Sequence, residues 1–174
     1  KAGDQDALHI VNIKSAKITR SFKFGLDGIF KPAWSPNGDE IVFTGTRNGR
    51  SDLYLVNLNT GELRQITNDV FSDLEASWSP DGKSIVFTSD RGAVSRKMAK
   101  ADSFRIFSHD FENTDIYLFN LENDSIKALT DTPWLENDPV FAPDGKRIAY
   151  TSDASGISNI YVKQLADSLT YPIT

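Results

Sequence analysis

The side chains best able to do chemistry are few and scattered. The only imidazoles are His9 and His109, and neither stands in the His-x-His or His-x-x-x-His spacing that sets two ring nitrogens on one metal ion. The chain has no cysteine, which removes thiolate nucleophiles, thiolate metal sites and disulfides together. A serine raised on a Gly-x-Ser-x-Gly strand-to-helix turn is absent, and so is a Gly-rich phosphate loop. Asp69, Asp73 and Glu75 crowd one loop, but they lack the central Gly and closing Glu of a calcium loop. The reading is therefore of a non-enzyme that needs neither metal nor cofactor.

What recurs along the chain is structural. "AWSPNGDEIVFTG" from Ala33 returns as "SWSPDGKSIVFTS" from Ser77 and as "VFAPDGKRIAYTS" from Val140. Trp78 follows Trp34 by 44 positions, and Phe141 follows Trp78 by 63, the same period with an insertion of about 19. A second motif keeps the same phase: "DLYLVNLNTGELRQIT" from Asp52, "DIYLFNLENDSIKALT" from Asp115 and "NIYVKQLADSLTYPIT" from Asn159. A weaker copy, "ALHIVNIKSAKITRSF", opens at Ala7.

Short β-branched and aromatic runs such as "IVFT" predict strands. Pro-Asp-Gly between two of them predicts a tight turn, Pro presetting φ and Gly supplying the left-handed residue. Each unit then reads as four antiparallel strands with no helical spacing between them, which predicts an all-β propeller of stacked blades, with a β-sandwich as the alternative. In this frame His9 takes the place of Tyr54, Tyr117 and Tyr161 and is expected to pack inside a blade. His109 is expected to be a solvated loop residue. Asn37, Asp81 and Asp144 belong to turns, and Asp90 and Asp153, recurring in "TSD", are expected to serve each blade alike.

The combination "WSPDG", "IVFTSDRG", "DIYL" and a closing "LT" resembles the TolB-like propeller repeat, also called the Pro-Asp repeat. The departures are Asn37 for Asp, Phe141-Ala142 for Trp-Ser, and the insertion. The resemblance implies that "PAWSP" is the innermost strand of a blade. It divides residues 1–174 into a half blade at 1–31 and blades at about 32–75, 76–138 and 139–174, with the insertion at 93–112. About three and a half blades cannot close a ring of the six or so usual in the family. The chain is thus expected to be part of a longer propeller, or to self-associate through open blade edges. The resemblance also implies a periplasmic or cell-envelope scaffold that binds a protein or peptide. The rival reading is a propeller that gates or supports a peptidase whose catalytic domain lies elsewhere in the parent protein, and a small-ligand or sugar-binding propeller is a third.

Net charge of -5 and a pI near 5.0 argue against a nucleic-acid surface, and no apolar run reaches the roughly 20 residues of a membrane span. Specificity is expected where the repeats differ. In the loops entering each innermost strand, Phe71, Asp73 and Glu75 align with Trp134, Glu136 and Asp138, while Lys31 takes the place of Glu75 in the preceding blade. These residues predict an acidic, aromatic channel mouth suited to a partner carrying basic residues. The bland alternative has the aromatics packed between blades and the acids capping turns. The insertion contributes Arg96, Lys97, Lys100 and Arg105 as a second candidate surface.

Overall fold

Each hydrophobic run of the repeat becomes a strand, and strands consecutive in sequence pair side by side. The computed structural model describes residues 6–92 and 109–174. β1 (Ala7–Asn12) and β2 (Lys17–Lys23) form a two-stranded antiparallel sheet. β3 (Gly28–Trp34), β4 (Glu40–Arg47), β5 (Arg50–Asn57) and β6 (Leu63–Gln65) make the first four-stranded blade. β7 (Asp73–Trp78), β8 (Ser84–Ser89), β9 (Asp115–Asn120) and β10 (Ser125–Ala128) make the second. β11 (Glu136–Phe141), β12 (Arg147–Ser152), β13 (Asn159–Gln164) and β14 (Thr170–Pro172) make the third. The described residues thus form an open run of propeller blades led by a half blade, all of it β.

Two recurring polar devices shape each blade. In the inner hairpins, Asp81 accepts the Ser79 hydroxyl at 2.6 Å and the Lys83 N–H at 3.0 Å. Asn37 does the same for Ser35 and Asp39, at 2.7 and 3.2 Å, so Asn serves where the repeat prefers Asp. At the other end, the hydroxyls of Thr67, Thr130 and Thr174 accept the N–H groups of Leu53, Ile116 and Ile160 at 2.8, 2.8 and 2.9 Å. That bond ties the last strand to its neighbour just past the end of the ladder, and it accounts for the Thr that closes each unit.

The core lies between blades. Because side chains alternate across a strand, Val42 and Phe43 leave β4 on opposite faces. Phe43 joins Leu8, Leu26 and Tyr54 toward the half blade, whereas Val42 joins Leu53, Trp78, Phe87 and Tyr117 toward the next one. A third slab holds Val86, Ile116, Ile148 and Tyr150. Trp78 is 8% exposed and its indole N–H reaches across to the Ala33 carbonyl at 3.1 Å. Trp34, the same residue one blade earlier, is 53% exposed. His9 is likewise exposed, with Nδ1 2.8 Å from the Ser21 hydroxyl. It is not the packed residue the repeat leads one to expect, because its counterpart Tyr54 faces the preceding blade and no described residue lies on that side of β1.

This topology also decides which loops share a face of the disc. With four antiparallel strands per blade, the connection from second to third strand and the one leading into the next blade emerge together. Gly92 and His109–Thr114 therefore lie on the face that carries Asn68–Ser72. Replacing Trp78 by Ala is expected to cost about 3–5 kcal/mol and replacing Trp34 by Ala under about 1 kcal/mol, measured by urea unfolding of each variant.

Candidate channel-mouth site

The innermost strand of each blade slips register at one place: between Phe30 and Ala33, Leu74 and Ser77, and Asn137 and Val140. The residue that opens each bulge is Lys31, Glu75 or Asp138, with φ of 48°, 56° and 52°. Left-handed backbone costs a residue with a side chain roughly 1 kcal/mol. Its threefold recurrence makes the bulge part of the blade design, and bulges re-aim side chains.

Here the three re-aimed side chains meet. Lys31 Nζ lies 2.8 Å from Asp138 Oδ1 and 3.8 Å from Glu75 Oε1. Glu75 Oε2 accepts the Asp138 N–H at 2.7 Å and the Thr88 hydroxyl at 3.1 Å. The hydrogen bond and charge of Asp138, helped by Glu75, raise the Lys31 pKa. A cleft of about 280 Å³ follows the same strands, bordered by Pro32, Ala76 and Pro139. The side chains of Lys31 and Asp138 are 58% and 52% exposed, that of Glu75 21%. So the repeat brings one cation and two carboxylates from three blades to one accessible spot.

The other expected mouth residues divide differently. Phe71, Asp73 and Glu136 lie inside the body, at 1%, 0% and 3% exposure, whereas Trp134 is 45% exposed. Arg96, Lys97, Lys100 and Arg105 fall outside the described residues.

Asp73 belongs to a buried charge cluster centred on Arg91. The guanidinium, fully buried, donates to Ser89 Oγ at 3.0 Å, Asp69 Oδ2 at 3.0 Å and Asp73 Oδ1 at 2.5 Å. The rings of Phe71, Phe87 and Tyr117 surround it at 5.4, 5.6 and 5.5 Å, an arrangement that suits a weakly hydrated planar cation. Burial raises the pKa of Asp73. Asp52 is pushed up to about 6, by burial first and then by the charges of Asp73 and Asp69. Over the cluster, the His109 ring packs on Phe71 at 5.1 Å and on Phe111 at 4.6 Å, with Nε2 2.6 Å from the Asp90 carbonyl. His109 is therefore a packed residue rather than the solvated one expected, and the Tyr117 hydroxyl anchors the start of the insertion by bonding the Gly92 carbonyl.

Sequence reasoning missed Arg91. The signal was present, since "TSDRG" and "TSDAS" differ by an arginine directly after a shared triplet. The shared Asp itself does one job in both blades: Asp90 and Asp153 accept the N–H groups of Ser72 and Leu135, each at 2.9 Å, holding the loop into the innermost strand. Among the described residues, no group of three or more His, Cys, Asp or Glu side chains is placed to hold a metal ion.

A family model described as the TolB beta propeller domain matches residues 2–104. The chain belongs to the TolB β-propeller family. The Tol-Pal system protein TolB of Bordetella pertussis is 31% identical over 134 residues, which cover 76% of this chain and 26% of that protein. The protein of the same name from Alkalilimnicola ehrlichii is 45% identical over 58 residues, covering 33% and 11%. The chain thus spans about a quarter or less of the length of these TolB relatives. The crystal structure of TolB from Acinetobacter baumannii matches with a TM-score of 0.72 at 26% identity, over 98% of this chain and 38% of that one. The tricorn protease matches with a TM-score of 0.62 at 20% identity, over 93% and 16%, a likeness of fold alone.

Within this TolB-type blade stack, removing the buried cation strands two carboxylates. Arg91→Met is expected to cost about 3–5 kcal/mol at pH 8 and less as the pH falls, since burial raises the Asp73 pKa and a neutral carboxyl needs no cation, as read from urea unfolding across the pH range. Glu136 gives the opposite sign. Burial pushes its carboxyl from the usual 4.5 up to about 7, partly offset by the Thr130 and Thr132 hydroxyls. The fold therefore loses stability as pH rises from the unfolded value through the folded one. Glu136→Gln is expected to match the unaltered protein below about pH 4.5 and to exceed it by about 1–3 kcal/mol above pH 7, measured by the same titration.

Proposed function

We propose that this chain is the propeller part of a non-enzymatic protein-interaction scaffold of the bacterial cell envelope, acting in the periplasm, and that it takes a basic protein or peptide segment at the channel mouth. The observation that carries the reading is the meeting of Lys31, Glu75 and Asp138 at three equivalent bulges. The compartment is supported by the relatives, which are Tol-Pal system proteins.

The mouth has the properties of an exchangeable polar contact. Lys31 satisfies Asp138 with an exposed ion pair, which contributes little on its own. An incoming lysine or arginine can take its place on Asp138 and Glu75 with small loss, and the released Lys31 turns to solvent. The negative net charge steers such a segment inward. The bulges are held by the sheets beneath them, so the carboxylates need little reordering on binding.

The test is an array of short peptides differing only in charge, probed with the protein and with the double variant Glu75→Lys, Asp138→Lys. Lysine- and arginine-rich peptides are expected to bind, with affinity falling as salt rises. The double variant is expected to weaken them at least about tenfold. Retention of basic peptides by the variant at unchanged affinity would overturn the proposal.

A further inference from the structure

Two successive blade interfaces are built on one plan, and only one contains its own cation. At the first, Arg91 lies against Asp73, under Phe71 and between Phe87 and Tyr117. At the second, the strand register puts Glu136 in the place of Asp73, since Asp73 pairs with Ser89 and Glu136 with Ser152. Tyr150 and Tyr161 replace Phe87 and Tyr117, with ring centroids 6.2 Å apart where the first pair is at 5.8 Å. Trp134 replaces Phe71, and the residue corresponding to Arg91 is Ala154.

The second interface keeps the acid and the aromatic walls of a guanidinium seat while its chain supplies a methyl group. Glu136 is 3% exposed, and its Oε2 has no hydrogen-bond partner. An acceptor buried without a donor is costly. Asp73 also leaves one oxygen, Oδ2, without a partner, but its Oδ1 is met by the Arg91 guanidinium, and no cation of the chain meets Glu136 among the described residues. The roof differs in the same direction. Phe71 is covered by His109 and Phe111, but Trp134, in the loop leading into β11 on the same face as Asn68–Ser72, is 45% exposed.

We infer that the Glu136 seat, with Trp134 in the place of Phe71 and Ala154 in the place of Arg91, is a binding site for a cationic side chain, an arginine above all, presented by a partner segment. The guest guanidinium follows the path that Arg91 takes one blade earlier, donating to Glu136 and stacking against Trp134 and the two tyrosines. Arginine is preferred over lysine because its planar fork can bond a carboxylate while lying between rings. The charged groups around Glu136 are Asp115, which disfavours its ionisation, Lys163, which favours it, and Tyr150. Lys163 reaches instead the Ser168 carbonyl, at 3.3 Å, and the Thr170 hydroxyl, at 3.5 Å. Its charge lowers the Glu136 pKa, but no ion pair joins the two. Because the carboxyl titrates near 7, a bound cation is coupled to release of its proton, and binding strengthens as pH rises.

This inference rests on the reading of the propeller as a binding module, but it is tested at residues other than Lys31, Glu75 and Asp138. The probe is the peptide acetyl-Gly-Ser-Arg-Ser-Gly-amide, with a counterpart carrying citrulline, the neutral near-isostere, in place of arginine. By titration calorimetry the arginine peptide is expected to bind at least about tenfold more tightly than the citrulline peptide, and more tightly at pH 8 than at pH 5.5. In the Glu75→Lys, Asp138→Lys background, where the mouth no longer contributes, Glu136→Gln is expected to abolish that preference, and Ala154→Arg, which fills the seat from within, to block binding and raise the melting temperature at pH 8. The Glu75→Lys, Asp138→Lys variant is expected to keep the preference, so the two proposals fail separately. Equal affinity for the two peptides, or no measurable binding of the arginine peptide by the unaltered protein, overturns the inference whatever Ala154→Arg does to the fold.

Discussion

A four-stranded blade has two apolar faces and can cover neither by itself. Residues alternate along every strand, so a sequence such as "IVFT" sends one set of side chains to each side, and both sets need a neighbouring sheet. The three slabs centred on Phe43, Trp78 and Ile148 answer this requirement. Once blades must stack, their innermost strands crowd around one axis. The bulges at Lys31, Glu75 and Asp138 then meet although they lie far apart in sequence. The mouth is a by-product of how the core is covered.

The same constraint sets where polar groups can be afforded inside. The slabs are apolar in the middle, and their ends, under the loops that lead from one blade to the next, are where Asp52, Asp69, Asp73, Asp115 and Glu136 collect. Each acid there must find donors or stay neutral. Asp73 has Arg91, while Asp115 accepts the Thr132 N–H at 3.0 Å. Glu136 has the Thr130 and Thr132 hydroxyls but no ion-pair partner among the described residues, and burial pushes its pKa up to about 7. Equal burial with different partners thus turns three chemically similar carboxyls into an ion pair, a loop anchor and an acid held toward its neutral form.

Most of the fold was legible in the sequence. The period, the Pro-Asp-Gly or Pro-Asn-Gly turns and the closing Thr each have a local physical cause, and each turn and closing Thr is written three times, so the blades could be read without tertiary information. The site was legible only in part. That Lys31, Glu75 and Asp138 are equivalent followed from alignment of the repeats. That they touch depends on a register slip and a left-handed backbone that nothing in "IFKPAW" or "DLEASW" announces, because neither places Gly at the slip. Burial was the harder quantity: Asp73 and Glu75 lie two residues apart, yet one is sealed under Arg91 and the other opens to the channel, since the bulge between them changes which side of the strand faces the axis.

The insertion shows how a departure from the repeat alters one interface and spares the next. It follows Gly92, whose carbonyl is held by Tyr117, and its far end returns His109 and Phe111 onto Phe71. Both anchors are blade residues of the Arg91 interface, so His109 and Phe111 roof the cluster that carries the buried cation. The next blade has the short connection "DASGIS", too brief to return an aromatic over Trp134. Roof and cation therefore go together: where the chain covers the aromatic it also supplies the arginine, and where the cover is missing the acid beneath is left with neither. Divergence concentrated at one end of otherwise equivalent interfaces is what a repeat scaffold needs in order to recognise anything, because identical interfaces would offer a partner no distinguishing feature.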